Sequence, residues 1–281
     1  MNIYCEFENL KENLDKNKNF LIKKRKEKLN TTITNIEINN KKMAKSINKD
    51  IGKYTTIFCE KFDFLSNKQF EFLSSLLKDE ILNIINNFSF KNENPKYFVV
   101  GLGNNEITAD SLGYLVTNKI LSTTKDIENK NLSKSNFGNV FSVAPSIASK
   151  NGIYTSKIIY SLCKELKPDI VILIDSLSCK DINYLGRTFQ INTSGLTPGC
   201  EIGNKQPKIS QKLLKTPILA IGCPVVSNLS NITKTSKFDP VLTLKDIDIA
   251  IKKYADIIAF SLNQIIHKNL NKNEIIFLTK M

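Results

Sequence analysis

Tyr97-Phe98-Val99-Val100-Gly101-Leu102-Gly103 and, further along, Ile170-Val171-Ile172-Leu173-Ile174-Asp175 are the stretches that decide the fold. Each is a short apolar run of the kind found in strands buried on both faces of a parallel sheet. The first passes through Asn104 to Asp110, and the second ends directly on Asp175. In open α/β sheets, sites form in the crevice beyond the carboxyl ends of the strands. Two acids aimed there point to acid/base chemistry.

Working outward, the chain alternates strand-like and helix-like segments. Phe70, Leu73, Leu77, Ile81, Ile84 and Phe88 recur at helical spacing over 67–88. A helix is expected over 110–121, a strand over 139–144 stopped by Pro145, and a helical face of Ile159, Leu162, Cys163 and Leu166 ending before Pro168. Short strands are expected at 188–192 and 218–222, with the turn-rich loop 193–199 between them. A last helix, starting near Thr243 with Asp246 as a capping partner, carries Ile247, Ile251, Tyr254, Ile258, Leu262 and Ile265. Ahead of these, 31–38 alternates and 54–58 is β-prone, which suggests a hairpin-like pair. The fold class is α/β, a mainly parallel central sheet with helices on both faces. Residues 1–30, with the run Lys23-Lys24-Arg25-Lys26, read as an exposed helix or a removable arm, and 31–281 as a single domain.

With 281 residues and 41% hydrophobic content the chain can build a substantial core. No run approaches the ~20 apolar residues of a membrane-spanning helix, and the start lacks a signal-peptide pattern, so a cytoplasmic location is expected. The formal charge of +13 raises the question of an anionic partner. Residues 1–50 contribute a net +5, from 12 Lys and Arg against 7 acids, and the rest is dispersed. There is no interleaving of aromatic and basic residues, so a solvated basic surface is expected rather than direct nucleic-acid binding.

The six cysteines show no CxxC spacing and the single histidine, His267, lies near a helix end. That excludes the usual zinc patterns and a Ser/His/Asp triad, so no metal and no cofactor are expected. His267 reads as a helix-surface residue. Cys179, Cys200 and Cys223 fall near expected strand ends but have no neighbouring base. Gly101-Leu102-Gly103-Asn104 lacks the third glycine of a dinucleotide fingerprint, since Glu106 stands there, and reads equally well as a tight turn. Taken alone, Asp110 reads as a helix N-cap sooner than as a site residue. Asp175 differs, because an acid closing a buried apolar run needs a partner, water or a proton.

The chain resembles the germination protease family of endospore-forming bacteria. The likeness is carried by Val99 to Asn104 with Thr108 to Gly113, by Val143-Ala144-Pro145 and the stretch 152–159, and by Lys167-Pro168-Asp169 with Ile174 to Leu177. Gly195 to Gly199, Gly203-Asn204-Lys205 and Pro217 to Pro224 continue it, in collinear order over roughly 31–233. The resemblance implies a fold like that of the hydrogenase-maturation endopeptidases. It also implies an aspartic-type endopeptidase whose two acids fall on Asp110 and Asp175, 65 residues apart. Asn104, Ser176, Lys180, Thr197 and Lys205 are the substrate-positioning candidates around them.

The same resemblance implies small acid-soluble spore proteins as substrate, a spore-core location, a homotetramer, and synthesis as a zymogen with an N-terminal arm. The chain departs from the family pattern at Ala109, Ser111 and Tyr114, at Tyr154 where an acid is usual, at Lys180 where Arg is usual, and over 198–203. The acids stand; the substrate loops have drifted. Rival readings are a nickel-triggered maturation endopeptidase of the same fold and a non-catalytic basic protein that binds spore DNA or protein.

Overall fold

The computed structural model describes residues 21–46, 49–63, 66–90, 92–133, 136–198, 207–228 and 240–281. Its strands are β1 (Leu21–Glu27), β2 (Thr31–Ile38), β3 (Gly52–Cys59), β4 (Lys96–Gly101), β5 (Asn139–Val143), β6 (Ile170–Cys179), β7 (Thr188–Asn192), β8 (Ile218–Asn228) and β9 (Val241–Thr243). They form one sheet in the order β1-β2-β3-β7-β8-β6-β4-β5, with β9 added to β8.

The sheet is α/β and mixed, and its two halves differ. β5, β4, β6 and β8 are mutually parallel, whereas β7, β3, β2 and β1 continue the sheet antiparallel. The parallel half follows from the crossover helices between its strands. β7 cannot join it in that sense, because only residues 180–187 connect β6 to β7, fewer than the dozen or so a parallel crossover needs.

Both faces of the parallel half are covered. On one face Val99, Ile172, Ile174, Leu219 and Ile221 pack under helices Asn67–Ile85, Leu112–Thr117 and Ile247–Ile266. On the other, Phe98, Val100, Val171, Leu173, Ile218 and Ala220 pack against helix Thr155–Leu166 and the short helix Gln211–Leu214. Helix Asn67–Ile85 starts where Ser66 accepts the Gln69 N–H, a side-chain N-cap worth about 1 kcal/mol. Each fully buried Ile or Leu adds roughly 1.5–3 kcal/mol, so the apolar runs of β4, β6 and β8 hold the sheet's centre.

Several expectations are corrected. Leu21–Glu27, within the stretch read as an exposed helix or a removable arm, is not helical but forms edge strand β1, hydrogen-bonded along its length to β2. Arg25 of β1 reaches Glu80 of helix Asn67–Ile85, with Nη2–Oε1 at 2.7 Å. Thr243 does not open the last helix; it ends β9 and donates its hydroxyl to the Val225 carbonyl. His267 is not on a surface. It is 0% exposed and caps the carboxyl end of helix Ile247–Ile266, whose last turns are buried all round.

Candidate active site

The site is built on two neighbouring parallel strands, β4 and β6. Their pairing extends past Gly101, because Leu102 donates its N–H to the Ile174 carbonyl at 2.8 Å. β4 therefore ends beside Asp175. Gly103 then turns the chain with φ of +98°, and a Cβ there would lie 2.1 Å from the Asp110 carbonyl oxygen and 2.8 Å from Asp110 Oδ1. Only glycine permits this fold-back. Residues Thr108–Asp110 form one 3-10 turn and helix Leu112–Thr117 follows.

Asp110 is not a helix cap. Its Oδ2 accepts the Asn104 backbone N–H at 2.8 Å, and the same N–H approaches the Asp110 carbonyl at 3.1 Å. Buried Asn104 shapes this loop, its Oδ1 accepting the Glu106 N–H at 3.1 Å. The carboxyl is thus held back toward the end of β4. Burial raises its pKa to about 6, against the lowering effect of the Asn104 N–H.

Asp175 lies within β6 rather than at its end, since the strand continues to Cys179 with an irregularity between Leu177 and Ser178. Its pKa is raised well above the usual carboxylate value, first by burial and then by the charge of Asp110, while the Ser176 N–H works the other way. The two acids therefore interact. Asp110 is the member that ionises more readily and Asp175 the one whose proton is held more tightly, the two titrating as a coupled pair.

The other sequence candidates separate. Ser176 is adjacent to Asp175 but points to the opposite face, in line with Ile172 and Ile174 and in register with Cys223. Its buried hydroxyl has no hydrogen-bond partner among the described residues. Lys180 is exposed just past β6. Because β7 is antiparallel, the loop carrying Thr197 leaves the sheet near the amino end of β8 rather than among the carboxyl ends. It crosses the face that bears Asp175, where Leu196 pairs with Ile209 and packs beside Val100 and Leu173. Lys205 and Cys200 lie outside the described residues.

The cysteine reading gains nothing: Cys179 is buried, and burial pushes the Cys223 thiol well above its usual pKa, away from the reactive thiolate. Nor is His267 placed to serve a metal. Its Nδ1 accepts the Gly138 N–H at 3.2 Å and its Nε2 lies 3.0 Å from the Leu121 carbonyl, which fixes a neutral ring donating from Nε2. Among the described residues no three His, Cys, Asp or Glu side chains gather as a metal site, and no helix is long and apolar enough to cross a membrane.

One element was missed from sequence. Gly222 of β8 stands directly beside Asp175, and a Cβ there would fall 2.6 Å from Leu177 Cγ and 2.8 Å from the Asp175 carbonyl. An isolated glycine inside an apolar strand run is a signal of such close approach.

Fold and site together define an α/β protein with an interacting carboxyl pair at the carboxyl side of its parallel strands. The germination protease family profile matches residues 1–242, and the chain belongs to that family. It is 31% identical over 202 residues to the germination protease of Clostridium perfringens strain 13, covering 71% of this chain and 61% of the relative. It is 32% identical over 214 residues to that of Priestia megaterium, covering 76% and 57%. The chain thus spans about three fifths of the length of these curated relatives. Among solved structures, a NiFe hydrogenase maturation protease HycI from Thermococcus kodakarensis aligns over 66% of this chain and 98% of its own, with 16% identity and a TM-score of 0.34.

Proposed function

We propose that this chain is an endopeptidase that hydrolyses small acid-soluble spore proteins during germination, with Asp110 and Asp175 as a proton-sharing carboxyl pair. The observation that carries this reading is the raised proton affinity of Asp175 in the presence of Asp110's charge. A pair split in this way supplies a base and an acid at one pH. The Asp110 carboxylate takes a proton from water as the water oxygen bonds to the peptide carbonyl carbon, while protonated Asp175 gives its proton to the carbonyl oxygen. On collapse, Asp110 returns its proton to the leaving nitrogen, the C–N bond breaks, and Asp175 regains a proton from the hydroxyl. No metal or cofactor is required by this sequence.

Incubation of the full chain with a small acid-soluble spore protein, followed by mass mapping, tests the reading. Asp110→Asn and Asp175→Asn should each remove cleavage and keep the fold. Full turnover in either variant ends the proposal. Cleavage should switch on with an apparent pKa of about 6 as Asp110 ionises, and decline at higher pH once Asp175 loses its proton.

The zymogen arm belongs to the same reading, and the packing of β1 supports a boundary ahead of Leu21 rather than at residue 30. Loss of 21–30 would strip β2 of its neighbour and take Arg25 from the buried carboxylate of Glu80. A chain beginning at residue 21 should fold like the full chain, whereas one beginning at residue 31 should unfold at lower urea. The homotetramer and the spore-core location come with the family resemblance. Sedimentation of the full chain checks the former.

A further inference from the structure

Helix Thr155–Leu166 leads from β5 into β6 and covers the sheet face shared by Val171, Leu173 and, by alternation, Asp175. Its carboxyl end lies at the amino ends of the strands, where Leu166 borders one cavity with Asp169 and with Lys96 and Asn139, the first residues of β4 and β5. From Leu166 back to Ser156 the helix rises about 15 Å. From Ile170 forward to Asp175 the strand spans roughly 16 Å. The amino terminus of the helix therefore stands level with Asp175. The Thr155 hydroxyl ties it there, donating at 3.3 Å to the carbonyl of Ser146 in the loop that follows β5.

This terminus is uncapped. Tyr154 holds the N-cap position and its side chain makes no cap hydrogen bond. The Lys157 and Ile158 N–H groups turn back to the Tyr154 carbonyl at 2.9 and 3.3 Å. Those of Thr155 and Ser156 have no acceptor among the described residues, although the two residues are only 2% and 3% exposed. Buried backbone donors are nearly always paired. The Ser156 side chain is a separate observation. At helical spacing it shares the face of Ile159 and Cys163, which join the apolar cluster of Val100, Leu102 and Leu173, so it is aimed at the sheet. Its hydroxyl also lacks a partner among the described residues. Neither acid supplies the missing acceptor, since Asp110 takes the Asn104 N–H and Asp175 the Ser176 N–H. Three unanswered donors thus gather at the height of the acid pair, where a helix amino terminus favours negative charge.

We propose that the amino terminus of helix Thr155–Leu166 is the oxyanion site of the peptidase, the Thr155 and Ser156 N–H groups and the Ser156 hydroxyl donating to the scissile carbonyl oxygen. The assignment rests on the carboxyl-pair reading given above. As the water oxygen bonds to the carbonyl carbon, the π electron pair moves onto the carbonyl oxygen, and the donors hold that charge until the proton of Asp175 reaches it. When the C–N bond breaks, the carbonyl re-forms and the charge is gone. Donors that meet full charge only in the transition state raise kcat and leave KM nearly unchanged.

The test uses the full chain with a small acid-soluble spore protein as substrate and compares Ser156→Ala, Thr155→Pro, Thr155→Ala and Asp175→Asn. Ser156→Ala should lower kcat by about 10²-fold, the usual cost of one oxyanion donor, with KM within about twofold. Proline is favoured at the first helical position, and Tyr154, at φ −58° and ψ 127°, already has the backbone that a following proline requires. Thr155→Pro and Thr155→Ala both lose the hydroxyl, but only the first loses the N–H, so it should turn over about tenfold more slowly than the second. Wild-type kcat in Ser156→Ala, or equal kcat in the two Thr155 variants, overturns this inference and, with Asp175→Asn inactive, leaves the carboxyl pair standing. A loss that appears only in KM overturns it too, since it marks ground-state binding. If Ser156→Ala melts more than about 5 °C lower, the Thr155 pair decides alone. Persistent cleavage by Asp175→Asn and Asp110→Asn would instead sink the carboxyl-pair reading, and this assignment with it.

Discussion

Two acids in this molecule are drawn toward the interior, Glu80 fully and Asp175 in part, and their surroundings treat them in opposite ways. Glu80, in helix Asn67–Ile85 under the antiparallel half of the sheet, has a side chain only 2% exposed and accepts from Arg25 Nη2 at 2.7 Å and from Asn35 Nδ2 at 3.2 Å. Asn35 Oδ1 in turn accepts the Thr55 hydroxyl at 2.5 Å. Asp175, in the parallel half, has the Ser176 N–H and a second acid for neighbours. A buried charge is tolerated when it is paired and hydrogen-bonded, and Glu80 meets that condition. Asp175 does not, and a carboxyl in that state holds its proton. The difference teaches that burial of an acid says little until its partners are known. His267 belongs with Glu80, since both its ring nitrogens meet backbone partners.

The comparison is broken most directly by neutralising each acid in turn. Asp175→Asn should cost about 10² to 10⁴ in turnover, the usual share of an acid/base group, while Glu80→Gln should leave turnover within about twofold. Equal losses in the two variants would erase the distinction, and steady-state kinetics on one protein substrate reads both.

His267 sharpens it on the structural side. Burial lowers its pKa from the usual 6.5 to about 4, so the folded state favours the neutral ring. Its contribution is complete above pH 6.5 and is lost as pH falls from there toward 4. By linkage this amounts to about 3 kcal/mol over that window. Urea titrations between pH 7 and pH 4 should show it. In His267→Gln this acid-dependent loss should shrink, while the acidic limb of activity near pH 6 should keep its midpoint.

Arg25→Ala should destabilise by about 1–2 kcal/mol. That is less than a fully buried pair would lose, because the Arg25 side chain is 46% exposed and water shares its charge. Kinetic constants of the folded protein should not change. The smallest expected effect is at Ser146, whose φ of 63° is one that glycine adopts freely and whose buried hydroxyl has no hydrogen-bond partner among the described residues. Ser146→Gly should gain up to about 1 kcal/mol, the relief of the left-handed backbone exceeding glycine's greater freedom when unfolded. Thermal melts resolve a change of that size.

Much of the parallel half was legible in the chain. β4 and β5 fall where the apolar or β-prone runs predict, as do helix Thr155–Leu166 and the body of helix Asn67–Ile85 and, in the antiparallel half, β7. Runs that are buried on both faces, or on one helical face, carry a period that can be read locally. The direction of β7 has no such local signature, so which end of the sheet the loop bearing Thr197 leaves from could not be read. His267 was misread because one polar residue at a helix end looks the same whether water or a backbone carbonyl answers it. Gly222 draws its meaning from β6, a strand far from it in sequence. β6 and β7 meet only through β8, which comes after both.

The amino-acid sequence by itself determined the apolar runs that become the central strands, the two acids that follow or interrupt them, and membership of the germination protease family. Tertiary structure decided that Asp110 turns its carboxyl onto the Asn104 N–H instead of capping a helix, and that its charge reaches Asp175. It also decided that β7 runs against β8. The physical reason is that hydrophobic period dictates which face of an element is buried, while the identity of its neighbours comes from pairing between distant strands.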